Sequence, residues 1–364
     1  CPNTLALDGI GNENGELSLF GGHFCDAFSA KCDVEDVEFE KGAFVEEAGL
    51  AGQGSGQCGN CRWNRENRPR DGATLVFMLR HLYLGPLMLL GLLHFDQAFA
   101  QHPDEMAVMT FNIRYDNPAD PLTWDARRES VLSTVSWFDL LGFQEVLSNQ
   151  MEDLVVGLDR HDSYGVGRDN GAEWFAEGGM EGEACPIFWN RDRFDRIHAE
   201  TLWLSSTPQM VGSIGWDAAL PRVATVVLLH DRQTGKVIRV INAHFSHTGE
   251  VAREASAHIL SMRMAGSEAD VNILLGDFNA ESGSPALNVL NSGRLQDSFD
   301  SSEKRCRDKI GTYTGFNTGG LRGAPRIDHI LVDGGEVLWY CTEERIIDGF
   351  YISDHLPVYI ALKP

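Results

Sequence analysis

Positive charge is what this chain has least of. Its 30 Lys and Arg stand against 53 Asp and Glu, a formal net charge of −23. Residues 1–77 hold 13 acidic and 6 basic side chains, a net of −7, which leaves −16 on residues 78–364. DNA is normally gripped by Lys and Arg that neutralise its phosphates, so this balance argues against tight, electrostatically driven nucleic-acid binding. Nor is there a recognisable groove of interleaved basic and aromatic residues; Arg191, Arg193 and Arg196 read equally as a solvated turn. Cysteine is scarce after residue 77, where only Cys185, Cys306 and Cys341 remain. They allow at most one disulfide, and a Cys306–Cys341 pairing is open but not readable from sequence. Cys185 lacks the context of a catalytic thiol and reads as small apolar filler. Internal repeats are absent, as is any linker within residues 106–364.

The N-terminal region differs from the rest. Residues 1–77 show no sustained periodicity, and Cys25, Cys32, Cys58 and Cys61 are spaced too irregularly for a zinc knuckle. A short basic start, Met78-Leu79-Arg80-His81, then precedes an apolar run, Leu82 to Leu93, that is too short to span a bilayer comfortably. Ala98-Phe99-Ala100 supplies an A-x-A cleavage pattern. The expectation is a signal peptide over 78–100, residues 1–77 as upstream sequence translated in error, and a periplasmic or secreted domain over 101–364. A genuine extension with a membrane-dipping helix is the alternative.

The informative residues lie further on. Val271-Asn272-Ile273-Leu274-Leu275 reads as a buried strand, and Gly276-Asp277-Phe278-Asn279 ends it with a carboxylate and a carboxamide. Alone, a D-x-N triplet is more often a turn held by its own Asx hydrogen bonds. Four further strand-end clusters repeat the pattern: Phe111-Asn112-Ile113-Arg114, Gln144-Glu145, Asn242-Ala243-His244, and Arg326-Ile327-Asp328-His329 with Ser353-Asp354-His355-Leu356-Pro357. Buried ionisable groups are costly unless paired or metal-bound, so five such placements point to one shared site. Oxygen ligands such as Glu145 and Asn112 suit a hard cation, Mg²⁺ or Mn²⁺. No Cys or His pair stands near them at zinc-like spacing.

The order F-N-I-R, Q-E, N-A-H, G-D-F-N, R-I-D-H, S-D-H-L-P resembles the endonuclease/exonuclease/phosphatase superfamily, which includes deoxyribonuclease-I-like enzymes. The resemblance runs from Met106 to the C-terminus and is nearest to a bacterial, often exported subgroup of metal-dependent hydrolases. Tyr164 to Asp169, Gly215-Trp216-Asp217, Pro221-Arg222 and Gly249 to Arg253 are further markers. It implies that Glu145 holds the metal, with Asn112 and Asp354 beside it. Asp277 would orient or deprotonate the attacking water, and Asn279 would meet the developing negative charge. Asp328 and His355 would form a buried couple, and His244 would contact phosphate or protonate the leaving oxygen. Glu183 would be the carboxylate partner of His244, although a loop charge after the Gly-rich stretch 177–182 reads as well. Arg114 and Arg222 offer guanidinium forks for phosphate; a strand-end cap at Asn112 and a surface fork at Arg222 remain the plain alternatives. Arg114 stands where some nucleolytic relatives carry Asp, which counts against abasic-site repair.

Periodicity and short Gly turns indicate an α/β chain. Helices are expected over Trp124–Phe138, with Asp125 to Glu129 on the wet side, and over Gly249–Met264. Strands are expected over 201–204, 224–230, 237–244, 271–275, 327–332 and 358–362, with a hairpin turn at Asp231 to Gly235. The resemblance sharpens this to a four-layer α/β sandwich of two packed mixed sheets. The expected activity is metal-dependent phosphoester hydrolysis, phosphodiesters such as nucleic acid or nucleotides first, then phosphomonoesters of sugars, inositols or lipid headgroups. A non-catalytic binding protein on the same fold is the remote alternative.

Overall fold

The computed structural model describes residues 104–265, 268–307, 311–319 and 323–364. The expected signal peptide and residues 1–77 lie outside them. In chain order the N-terminal half runs β1 (Met106–Asn112), α1 (Trp124–Val135), β2 (Leu140–Gln144), α2 (Ser148–Gly157), β3 (His161–Tyr164), β4 (Ile187–Asn190), β5 (Phe194–Trp203) and β6 (Val223–Asp231). Next come β7 (Val237–His244), α3 (Glu250–Ala265), β8 (Val271–Asp277), α4 (Pro285–Asn291), β9 (Gln296–Asp297), α5 (Ser298–Ser301), β10 (Arg305–Cys306), β11 (Asp328–Asp333) and β12 (Glu336–Thr342). A small hairpin, β13 (Ile346–Ile347) with β14 (Phe350–Tyr351), precedes the final strand, β15 (Val358–Lys363). Two mixed sheets result, ordered β10-β12-β15-β1-β2-β4-β3 and β5-β6-β7-β8-β11-β9. No helix of the described residues is long and apolar enough to cross a membrane.

Period-two alternation explains the layering, because successive side chains of a strand point to opposite faces. On β1, Met106 and Val108 join Ile273, Leu275, Val240 and Ile330 of the other sheet in one central core. Met109 and Phe111 face the other way, against Val131, Val135 and Leu154 of the helices. On the second sheet, Ile241, Leu274 and Leu331 pack against Ala257, Leu260 and Leu287. The result is the expected four-layer α/β sandwich, with few helices outside.

The same alternation builds the site. The faces that supply Val108, Val240, Ile273 and Ile330 to the central core continue to Asn112, His244, Asp277 and Asp328. Pairing brings these together: β7 and β8 run parallel with His244 opposite Asp277, and antiparallel β8 and β11 place Asp277 opposite Asp328. In the other sheet Asn112 lies opposite Gln144. The space between the sheets is therefore apolar along most of its length and polar at one end. Beneath that end Gln144 donates to Asn242 Oδ1 (2.6 Å), and Asn242 donates to the carbonyls of Phe143 (2.7 Å) and Pro186 (2.8 Å). These bonds join the two sheets.

Helix α1 corrects one expectation. Arg127 is not on the wet side but fully buried, donating to the carbonyls of Ile113, Arg114 (2.6 Å) and Tyr115 (3.3 Å). Those carbonyls belong to the chain leaving β1, which cannot bond itself and takes a guanidinium instead. Helix α1 also ends at Val135, three residues before the expected Phe138. The Asp231–Gly235 hairpin is present, with β6 antiparallel to β7. Strand β5 starts at Phe194, well before the expected Thr201. Cys306 and Cys341 are disulfide-bonded, and Cys185 is buried, its thiol pushed up to about 12 by burial.

A Cβ on Gly276 would lie 1.9 Å from the Ala243 carbonyl oxygen, in a backbone with φ of +146°. Gly276→Ala is expected to cost about 1–3 kcal/mol, read as an earlier midpoint in urea unfolding. Gly293→Ala, where an added Cβ meets nothing within 4 Å, should leave the midpoint unchanged.

Candidate active site

Asp277 is the centre of the polar end and is 1% exposed. Its Oδ2 accepts from Asn112 Nδ2 (3.0 Å) and its Oδ1 from the Asn279 backbone N–H (2.9 Å). Thus Asp277-Phe278-Asn279 is both an Asx turn and a member of a larger cluster. Burial pushes the Asp277 carboxyl up to about 7, against the pull of nearby His355 and with Asp328 adding repulsion. His355 Nδ1 meets Asp328 Oδ2 at 2.8 Å, and its Nε2 lies 3.7 Å from Asp277 Oδ2. Burial alone would lower His355, yet Asp328 and Asp277 hold its pKa well above the usual histidine range. Tyr313 packs edge-on against His355, and Thr312 Oγ1 accepts from the N–H of Asp328 (3.1 Å).

Backbone strain collects here. Arg114, Glu145 and Asn279 are three of the seven described non-glycine residues with positive φ, at 60°, 62° and 47°. Such conformations persist where surroundings over-determine them, commonly at functional sites.

His244 has a donor on its Nδ1 side and a carboxylate on its Nε2 side. Arg222 Nη1 lies 3.1 Å from its Nδ1, whereas Glu183 Oε2 is 4.0 Å away. A guanidinium only donates, so this contact makes the imidazole neutral and places its proton on Nε2. Burial and then the Arg222 charge hold its pKa well below the usual value. Its Nε2 is 3.4 Å from Asp277 Oδ2 and 3.1 Å from Asn279 Nδ2. Glu183 thus stays at the edge of contact with His244, with Arg222 Nη1 3.7 Å from the same Oε2. Glu183 is drawn instead to Arg168 Nη1 at 2.7 Å. Arg222 also donates to His247 Nδ1 (2.9 Å).

Arg114 lies among carboxylates. It forks onto Asp120 (2.8 and 3.1 Å), with Nη1 3.8 Å from Glu145 Oε2 and 3.6 Å from Asp354 Oδ2. Asn112 Nδ2 also donates to Glu145 Oε1 (3.1 Å), while its Oδ1 accepts from the Arg114 N–H (3.0 Å). The amide thus positions Glu145 and Asp277 with its nitrogen, and its oxygen accepts one backbone N–H, which leaves a second lone pair.

Among the described residues, two places at this end could hold a divalent ion. Ligand atoms of Asp277, Asp328 and His355 all lie within 4.8 Å of one another. That cluster already contains its own imidazolium, and a protonated histidine offers no lone pair. Glu145 and Asp354 instead share one cationic neighbour, Arg114 Nη1. Burial raises the carboxyls of both Asp354 and Glu183, and the Glu145 charge adds to each rise. Mutually repelling oxygen donors at the rim fit a hard cation better than the buried cluster does.

Arg168, His247, Thr312 and Tyr313 are the residues the sequence reading left without a role. Arg168 stood inside the Tyr164–Asp169 marker, and His247 follows His244 by three residues; loop positions carry no periodicity to show which way they face.

The Endonuclease/Exonuclease/phosphatase family pattern matches residues 109–355. A solved endonuclease/exonuclease/phosphatase from Bacteroides vulgatus is 31% identical, with a TM-score of 0.65 over 71% of this chain and 98% of that one. A mannosyl-6-phosphatase from Bacteroides thetaiotaomicron is 30% identical, with a TM-score of 0.64 over 71% of this chain and 99% of that one. TDP2 from D. rerio, solved with a single-strand DNA product, is 16% identical at a TM-score of 0.55 over 71% and 99%, a likeness of fold alone. No curated protein matches the sequence. With the motifs in family order and their side chains gathered at one end of two packed sheets, the chain belongs to the endonuclease/exonuclease/phosphatase family of phosphoester hydrolases.

Proposed function

We propose that the protein is a divalent-metal-dependent hydrolase of phosphomonoesters that works by attack of an activated water. The observation that carries this reading is Asp277, a buried carboxylate aimed by Asn112 and Asn279 and set between two histidines of opposite state. With its carboxyl pushed up to about 7, Asp277 can take a proton from water near neutrality. His355, kept charged by Asp328, supplies positive charge and an Nε2 donor to a phosphoryl oxygen. Neutral His244 and the Asn279 amide place two further N–H donors side by side, beside Asp277 and the Phe245 carbonyl, where a second phosphoryl oxygen could accept from them. A Mg²⁺ or Mn²⁺ ion held by Glu145 and Asp354 would polarise the phosphoryl group.

Sequence alone favours phosphodiesters. The balance moves to monoesters because a relative at 30% identity is a mannosyl-6-phosphatase, whereas the DNA-bound neighbour shares only the fold. A phosphodiesterase on nucleic acid or nucleotides is the second reading, since the same water attack serves a diester. Export belongs to the proposal through the Leu82–Leu93 run and Ala98-Phe99-Ala100, and N-terminal sequencing of the native protein tests it.

Hydrolysis of p-nitrophenyl phosphate, bis-p-nitrophenyl phosphate, duplex DNA and RNA with Mg²⁺, Mn²⁺ or EDTA decides the matter. Metal-dependent monoester turnover is expected, falling about 10²–10⁴-fold in Asp277→Asn and in His355→Gln. Cleavage of diesters alone would favour the second reading, and no turnover by folded, metal-loaded protein would leave a binding role.

The raised Asp277 carboxyl also sets a pH dependence. An unfolded Asp releases its proton near about 3.9, whereas the folded one holds it to about 7. Folded protein thus binds more protons across that window. In metal-free protein this contribution to stability is complete below about 4 and is lost as pH rises to about 7. Asp277→Asn should reduce the slope of denaturant-derived stabilities measured across that range, and the raised carboxyls of Asp139, Glu183, Glu343 and Asp354 supply the remainder.

A further inference from the structure

Beside Asn279 lies a cavity of about 250 Å³, lined by Glu250, Arg253, Asn279, Glu281, Ser284 and Ile327 together with small Ala and Pro side chains. Asn279 is common to the cavity and to the His244–Asp277 cluster, so whatever fills the cavity adjoins the phosphoryl position. Resting on the hydrolase reading above, we infer that this cavity is the leaving-group subsite and takes a neutral, hydroxyl-rich group, a single sugar or polyol ring.

The lining selects this class by what it offers and what it refuses. None of the lining residues is aromatic, so a nucleobase finds no stacking platform. Glu250 and Glu281 face any flanking phosphate with like charge, which opposes a polynucleotide or a second phosphoryl group. Charged and hydroxylic groups make a poor seat for an acyl chain. Hydroxyl groups, by contrast, donate to both carboxylates and to Ser284, and accept from the Arg253 guanidinium. The room is smaller than the roughly 300–1,000 Å³ typical of pockets for drug-sized ligands, which matches one ring rather than a nucleotide.

Both walls are fixed before any ligand arrives. On one side Asp217 accepts from the backbone N–H groups of Ala252 (2.7 Å) and Val251 (3.3 Å), in the turn of α3 that carries Glu250 and Arg253. A Cβ on Gly249 would lie 2.5 Å from Asp217 Oδ1, so the contact is tight. Arg253 Nη1 donates to the Ser246 carbonyl at 2.9 Å, which aims the rest of its guanidinium. On the other side His329, fully buried, donates Nε2–H to the Ala280 carbonyl (2.9 Å). Asp297 Oδ2 lies 3.0 Å from His329 Nδ1 and accepts from Arg326 Nη2 (2.8 Å), and Arg326 reaches on to Ser282 Oγ. The loop carrying Asn279 and Glu281 is thereby pinned to β11. Neither the Glu250 nor the Glu281 carboxylate bonds to another described residue, which leaves both for a ligand.

The test compares glucose 6-phosphate and mannose 6-phosphate with n-hexyl phosphate, which has the same reacting group and no hydroxyls. Wild type, Glu250→Gln and Glu281→Gln are assayed with Mg²⁺ and Mn²⁺, and thermal melts confirm that the variants are folded. Wild type should favour a hexose phosphate in kcat/KM by at least about tenfold, and each substitution should reduce that preference about five- to tenfold, mainly through KM. If wild type hydrolyses n-hexyl phosphate as well as the hexose phosphates, the subsite is wrong while the hydrolase reading stands. The same holds if neither substitution changes the preference. Failure of wild type to hydrolyse any of the three would overturn the phosphomonoester reading and this inference with it.

Discussion

Everything at the polar end depends on one constraint, that a carboxylate buried between two sheets must be satisfied from both. Asp277 belongs to β8, yet one of its two strongest contacts is Asn112 of β1 in the opposite sheet. Asn112 in turn orients Glu145, and its backbone carbonyl accepts from Ser353, next to Asp354 and His355. Removing any one of these groups leaves a buried charge or amide unpaired, which costs more than the bond itself contributes. The site is thus a polar continuation of the sandwich core, not a set of residues placed on its surface.

The chain's shortage of positive charge acquires a meaning from where the arginines sit. Arg127, Arg168, Arg193 and Arg222 are all buried. Arg193 forks onto buried Asp231 (3.0 and 2.9 Å) and also donates to the Glu105 carbonyl (2.6 Å). Arg127 ties together the backbone that leaves β1. Asp231, Asp277, Asp297, Asp328 and Asp354 are buried with them, so these four guanidiniums serve the interior and are withheld from any phosphate backbone at the surface. Arg168 and Arg222 put local positive charge beside Glu183 and His244.

Much of this could be read in the sequence. Asn112, Glu145, His244, Asp277, Asp328 and His355 were legible because strand ends interrupt an apolar alternation, and the pairing of β7, β8 and β11 then sets three of them side by side. Positions governed by loops were not legible. Helical position made Arg127 look wet, but the need of three nearby carbonyls for a donor put it inside. Proximity in relatives suggested Glu183 for His244, but not that Arg168, fifteen residues upstream and on the neighbouring loop, bonds that carboxylate. The orientation of Arg114 follows from Asp120, a loop residue with no motif of its own. The disulfide could not be assigned from an odd number of cysteines, since β12 lies beside β10 only once the sheet has formed.

The division of labour between two neighbouring sets of charges is the central claim: Glu145 with Asp354 for the cation, Asp277 with His355 and Asp328 for protons. Anomalous diffraction from crystals soaked in Mn²⁺ tests it most directly. The account expects one strong peak within coordination distance of Glu145 and Asp354, with the Arg114 guanidinium displaced and the His355–Asp328 contact retained. A peak centred instead on Asp277, Asp328 and His355 would contradict it.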